Sequence, residues 1–111
     1  LRSQASILAS DIFDSMRANQ TAAEIGSYNF ALGDTTPDKP NTRAELDLTD
    51  WLTTLSNNLP SGSGTVVCND SDTGDAAACS PSSIYEVTVR WMEVQDDGAR
   101  GITPFTYSGA L

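Results

Sequence analysis

Apolar residues recur every three or four positions in the first part of the chain, as in a helix that buries one face. The large apolar residues of this stripe, which we expect to face the core, are Leu8, Ile12, Phe13 and Met16. Ile7 is a large apolar residue that lies off the stripe. Alanines continue the pattern toward Gly26, a residue typical of helix ends. We therefore predict a helix over residues 1–24.

A second helix is predicted within residues 41–60. Thr42 and Glu45 have the spacing of a capping box, and Pro60 follows as a helix terminator. The apolar residues of its predicted buried stripe are Leu48, Trp51, Leu52, Leu55 and Leu59. Between the two helices, residues 26–41 contain glycine and proline, which disfavour a long regular element. The alternating large residues that we expect to lie extended there are Tyr28, Phe30 and Leu32.

Alternating apolar and polar residues in the second half of the chain predict an antiparallel meander. The residues on one face of its clearest strand, IYEVTVRWMEV, are Tyr85, Val87, Val89 and Trp91. A short strand, TVVC, precedes it after a turn at residues 61–64, in which Gly62-Ser63-Gly64 is interpreted as a linker. The last strand follows a turn at Asp97-Gly98, and Pro104 predicts that this strand lies at a sheet edge.

These elements predict an α+β fold. A long N-terminal helix packs on an antiparallel sheet, and a second short helix lies in the connection between them. The chain has 111 residues, which fits one compact domain over residues 1–111.

The net charge of the chain disfavours some classes of binding partner. Fifteen acidic residues against six basic ones give a net charge of −9, which disfavours nucleic acid and anionic membrane surfaces. The chain has no histidine, the commonest general base, and no motif that would activate a serine. We therefore expect no enzymatic activity and no cofactor.

Two cysteines, Cys68 and Cys79, flank a loop rich in Asp, Ser and Gly. Their spacing matches neither a zinc site nor a redox motif, so we predict a structural disulfide and an oxidising compartment. Two unpaired buried thiols are the alternative.

The loop between these cysteines contains alternate acidic residues. Asp70, Asp72 and Asp75 are weak candidates for a calcium site, but the loop lacks the glycine and glutamate positions of an EF-hand. A solvated turn, in which Asp side chains bond their own backbone, is the favoured interpretation. Asp96-Asp97 are likewise interpreted as a turn.

The stretch SQASILASDIFDSMRANQTAA resembles the minor pilins of type IV pili, particularly the PilV-type family, the type IV pilus modification proteins. GSYNFALGD, LPSGSGTVVC and YEVTVRW follow in the order found in that family. The resemblance implies a pilin-like fold in which the N-terminal helix projects beyond the head domain and spans the inner membrane before assembly. We expect that the missing half of the helix, with its processing site and methylated N-terminus, preceded Leu1.

The resemblance also implies a function. Such a protein would take part in priming pilus assembly and in the pilus-tip complex, and would support twitching motility and adhesion. Its partners would be other minor pilins, the major pilin and a pilus-tip adhesin. It would be anchored in the inner membrane of a Gram-negative bacterium with a periplasmic head, and later belong to the extracellular pilus. The residues expected to face neighbouring subunits are Arg2, Ser6, Asp14 and Arg17.

Two alternatives stay open on the sequence. A minor pseudopilin of a type II secretion system would have the same fold and anchor. A surface ligand-binding module would need exposed aromatic residues, for which Tyr28 and Tyr107 are the candidates.

Overall fold

The computed structural model describes residues 2–24, 26–31, 39–69, 84–94, 98 and 100–111. Within these ranges the chain forms three helices and three strands. In chain order they are α1 (Arg2–Ala18), α2 (Gln20–Glu24), α3 (Arg43–Asn58), β1 (Ser63–Asn69), β2 (Ile84–Val94) and β3 (Arg100–Gly109).

The three strands form an antiparallel meander in the order β1-β2-β3. Helix α1 packs against β2 and β3, α3 packs against β1, and the two helices contact each other. The alternation in β2 buries one set of side chains: Tyr85, Val87, Val89 and Trp91. The α+β class, with an N-terminal helix and an antiparallel sheet, is therefore confirmed.

The N-terminal helix is interrupted, which corrects the prediction of one helix to residue 24. Asn19 separates α1 from α2, and its N–H lies 3.1 Å from the carbonyl oxygens of both Ser15 and Met16. This sharing tightens the backbone into a turn of the 3₁₀ type. The Asn19 side chain donates to Tyr28 Oη at 3.3 Å, so a tertiary contact occupies the residue where the helix breaks.

Gly26 ends α2, as the sequence predicted. Its φ is +87°, a left-handed conformation that glycine adopts without a Cβ penalty. Gly26 N–H donates to Ala23 O at 3.1 Å, and Ser27 N–H donates to Ala22 O at 3.0 Å. These two bonds form a Schellman motif, which satisfies carbonyls at the helix end.

The capping prediction for α3 is confirmed. Thr42 Oγ1 accepts from Glu45 N–H at 3.1 Å, and Glu45 Oε2 accepts from Asn41 N–H at 3.0 Å. The glutamate thus reaches one residue further back than in the usual capping box. The helix ends at Asn58, two residues before Pro60.

The Gly-Ser segment is not a linker, which corrects the sequence interpretation. Ser63 and Gly64 belong to β1. A Cβ at Gly64 would lie 2.5 Å from Trp51 Cη2, and one at Gly62 would lie 2.1 Å from Leu55 O. Glycine is therefore needed at both positions, because β1 and the residue just before it approach α3 too closely for a side chain.

Residues 26–41, between the first and second predicted helices, are extended only in part of the segment that the structure describes. Phe30 forms an antiparallel bridge with Val66, with backbone bonds of 2.8 and 2.9 Å. Tyr28 is buried but lies in a turn, and Leu32 lies outside the described residues.

Candidate interaction surface

Helix α1 buries the face that the sequence predicted. Leu8 is 8% exposed, and the three other predicted core residues are nearly inaccessible: Ile12, Phe13 and Met16. Trp51 of α3 donates its Nε1–H to the Leu8 carbonyl oxygen at 2.8 Å. This directional bond between the helices fixes how α1 lies beside α3, and it determines which face of α1 stays outside.

The opposite face of α1 includes two of the four predicted partner-facing residues. Asp14 and Arg17 are exposed, whereas Ser6 is half-buried. The backbone of Arg2 belongs to α1, but its side chain lies outside the described part of the structure. The structure therefore brings Asp14 and Arg17 together on one surface and leaves Ser6 at its margin.

Asp14 and Arg17 form an ion pair on this surface, with Arg17 Nη1 3.5 Å from Asp14 Oδ1. The Arg17 guanidinium carbon also lies 5.7 Å from the centre of the Phe13 ring, within reach of a cation–π interaction. Phe13 in turn meets Tyr107 edge to face, with ring centres 4.9 Å apart. The exposed arginine is thus oriented by contacts that continue into the core.

Tyr107 and Tyr28 were the aromatic candidates for a ligand-binding module. Tyr28 is 1% exposed, so its ring is not available at the surface. Tyr107 is partly buried and packs against the core through Phe13. Neither ring presents an open aromatic face for ligand binding.

Tyr28 instead joins three segments of the chain. Its hydroxyl donates to Asp47 Oδ2 in α3 and accepts from Asn19, at the break between α1 and α2. Asp47 is also paired with Arg43, with 3.1 Å between Oδ1 and Nε. Burial and the neighbouring Asp47 raise the pKa of Tyr28 to about 12, so the phenol is neutral below that pH and can donate.

A groove between α1 and α3 was missed by the sequence analysis. The residues that line it toward one end are Leu8, Asp11, Ser15, Asp47, Asp50 and Thr54. Toward the other end it is lined by Gln4, Ile7, Leu8, Thr54 and Asn58. Ile7, the large residue off the core stripe, is 63% exposed there. Its off-stripe position was the sequence signal that pointed to this surface.

Several predicted features lie outside the described residues. They are the acidic-loop candidates and the hairpin acids: Asp70, Asp72, Asp75, Asp96 and Asp97. Cys79 also lies outside, so its disulfide with Cys68 stays a prediction. Within the described ranges, no group of three or more His, Cys, Asp or Glu residues could hold a metal ion.

Comparisons with known proteins found no matching protein-family model, curated protein or solved structure. No helix in the described part of the chain is long and apolar enough to cross a membrane.

Proposed function

We propose that this chain is the head domain of a type IV pilus minor pilin of the PilV type. It acts as a non-enzymatic assembly subunit that takes part in priming pilus growth and in the tip complex. The proposal rests first on the sequence resemblance of its N-terminal segment. It is supported by the α+β layout, in which one face of the N-terminal helix packs on an antiparallel meander.

The observation that carries the proposal is the division of α1 into two faces. Leu8, Ile12 and Met16 are buried within the domain, while Asp14 and Arg17 stay exposed. In a pilin, the inner face holds the head on the helix and the outer face meets the next subunit. Repeated head-to-tail contacts of such unlike surfaces build a helical filament.

The partners in this proposal are other minor pilins, the major pilin and a pilus-tip adhesin. The full-length protein would be anchored in the inner membrane, with this domain in the periplasm, until it enters the pilus. Twitching motility and adhesion would follow from the pilus that it helps to start.

Deletion of the gene tests the proposal at its broadest. We expect few surface pili by electron microscopy and loss of twitching, with both restored by the intact gene. Normal piliation after deletion would contradict the proposal. Normal piliation together with a defect in protein secretion would indicate the pseudopilin alternative instead.

Charge reversal tests the surface itself. Asp14→Arg places like charges beside Arg17, and we expect fewer pili and weaker co-purification of the domain with other minor pilins. Because an exposed ion pair contributes only about 0–1 kcal/mol to stability, the variant should still fold. Glu93→Arg, the same charge change on the exposed end of β2, serves as the matched control and should leave both measurements unchanged.

A further inference from the structure

We propose that the groove between α1 and α3 binds a helical segment of a partner protein. This segment carries an apolar residue and, one turn further along, a lysine or arginine. The proposal goes beyond the pilus assignment and does not depend on it, because it is argued from the groove alone.

The groove runs between two antiparallel helices. Gln4 of α1 lies with Asn58 of α3 at one end, and Ser15 lies with Asp47 at the other. Two cavities of about 220 and 270 Å³ share the lining residues Leu8 and Thr54, so they lie next to each other along the two helices. A depression between two packed helices has the shape that a third helix fills.

One end of the groove is apolar. Ile7 is 63% exposed beside Leu8, and the neighbouring residues Gln4 and Asn58 are uncharged. An isoleucine at the rim of a groove offers an apolar contact that water cannot satisfy, so an apolar side chain of a partner would be favoured there.

The other end is acidic. Asp11, Asp47 and Asp50 line it, and no lysine or arginine belongs to its lining. Asp47 is already engaged by Arg43 and Tyr28. Asp11 and Asp50 are exposed and make no ion pair with any residue that the structure describes. Charge complementarity therefore selects a cationic group for this end.

The spacing of the two ends matches a helix. Ile7 and Asp11 are four residues apart on α1, which is about 6 Å along a helix axis. A partner helix lying along the groove would present residues i and i+4 at the same separation. The preferred ligand thus has an apolar residue at i and a basic residue at i+4.

A synthetic peptide tests this chemistry. The probe is a fluorescent, alanine-based helix with leucine at i and lysine at i+4 and i+8, and the comparison peptide has glutamate in place of both lysines. We expect the isotopically labelled full chain to bind the lysine peptide, with amide shifts concentrated at Ile7, Asp11 and Thr54. The glutamate peptide should bind at least about tenfold more weakly.

Two variants test the groove itself. Asp11→Lys and Ile7→Ser alter exposed side chains, so both should keep the far-ultraviolet circular dichroism of the native chain. Each should weaken binding of the lysine peptide by on the order of five- to tenfold. Glu93→Lys is the matched control, since it reverses the charge of an exposed residue of β2 outside the groove lining, and it should change affinity less than about twofold.

Three results would overturn the proposal. The first is no binding of the lysine peptide up to about 1 mM. The second is equal loss of affinity in Asp11→Lys and Glu93→Lys, which would indicate attraction to net charge alone. The third is a set of amide shifts confined to the sheet. None of these results bears on piliation, so failure here is distinguishable from failure of the pilus proposal.

Discussion

Buried aromatic residues make different contacts in the two layers of the domain. We call α1, α3 and the turn that contains Tyr28 the helical layer, and the three strands form the sheet. In the helical layer, Trp51 donates to a carbonyl of α1 at 2.8 Å, and Tyr28 donates to Asp47. In β2, Trp91 and Tyr85 are 1% exposed, and neither Trp91 Nε1 nor Tyr85 Oη has a hydrogen-bond partner in the described part of the chain. Each layer thus buries one tryptophan and one tyrosine, but among the described residues only those of the helical layer have hydrogen-bond partners for their polar atoms.

This difference indicates how each contact is specified. Two helices can slide or rotate against each other, and directional bonds from Trp51 and Tyr28 restrict that freedom. The strands of the sheet are already held in register by their backbone hydrogen bonds. Trp91 and Tyr85 therefore stabilise the fold mainly through the apolar area that they bury. The core volume that these rings fill offsets the cost of a polar atom that has no partner among the described residues.

The tryptophans give the largest expected effect. Trp51→Phe removes part of a ring that fits against Gly64 and also removes the donor to Leu8 O. We expect it to lower the free energy of unfolding by about 2–4 kcal/mol, from lost packing and a lost hydrogen bond. Trp91→Phe removes a similar volume together with a buried N–H that has no partner among the described residues, so its cost should be lower by about 1–2 kcal/mol.

Urea denaturation of both tryptophan variants measures this difference. Fluorescence is unsuitable as the common probe, since each variant loses one tryptophan, so circular dichroism should be used. Equal destabilisation by the two substitutions would show that the Trp51 hydrogen bond adds nothing beyond packing.

Two tyrosine substitutions test the same difference between the helical layer and the sheet, with smaller expected effects on stability. Tyr28→Phe leaves the Asp47 carboxylate with one donor fewer, and we expect a cost of about 1–3 kcal/mol. Tyr85→Phe removes a hydroxyl with no partner among the described residues, so stability should be unchanged or slightly raised. Thermal unfolding of the pair checks this, and a larger loss in Tyr85→Phe would contradict it.

The pH dependence of stability is the narrowest test of the Tyr28 contact, because it appears only above pH 10. Burial and Asp47 raise the pKa of Tyr28 from 10.0 to about 12, so the folded chain holds this proton more tightly than the unfolded chain. The resulting stability is fully present below pH 10 and is lost as the pH rises toward about 12.

Burial, with the nearby charge of Glu24, also raises the pKa of Tyr85, which acts in the same direction. Urea midpoints should therefore fall less steeply above pH 10 in Tyr28→Phe than in the native chain. Parallel curves for the two proteins would contradict a role for Tyr28 in this dependence.

Local rules explain what the sequence predicted well. The core stripe of α1, the Thr42 cap, the Gly26 stop and the alternation in β2 each depend on residues close in sequence. Periodicity and capping chemistry act over a few residues, so they can be read without knowing the tertiary fold.

Tertiary contacts explain what was missed. Gly64 looked like part of a flexible linker because the ring of Trp51, which forbids a side chain there, comes from another element. The break at Asn19 coincides with a hydrogen bond from its side chain to Tyr28, nine residues away. Predicting the groove required knowing that α1 and α3 lie antiparallel. The off-stripe position of Ile7 was the one sequence feature that indicated this surface.

Pro104 has a consequence for how this domain behaves at high concentration. It lies opposite Arg90 in β3, the outermost strand of the described sheet. Proline has no N–H to give β2, so its nitrogen must point away from the sheet. A foreign strand that approached this rim would lack a bonding partner midway along it. Pro104 therefore works against edge-on polymerisation of the domain into amyloid-like stacks.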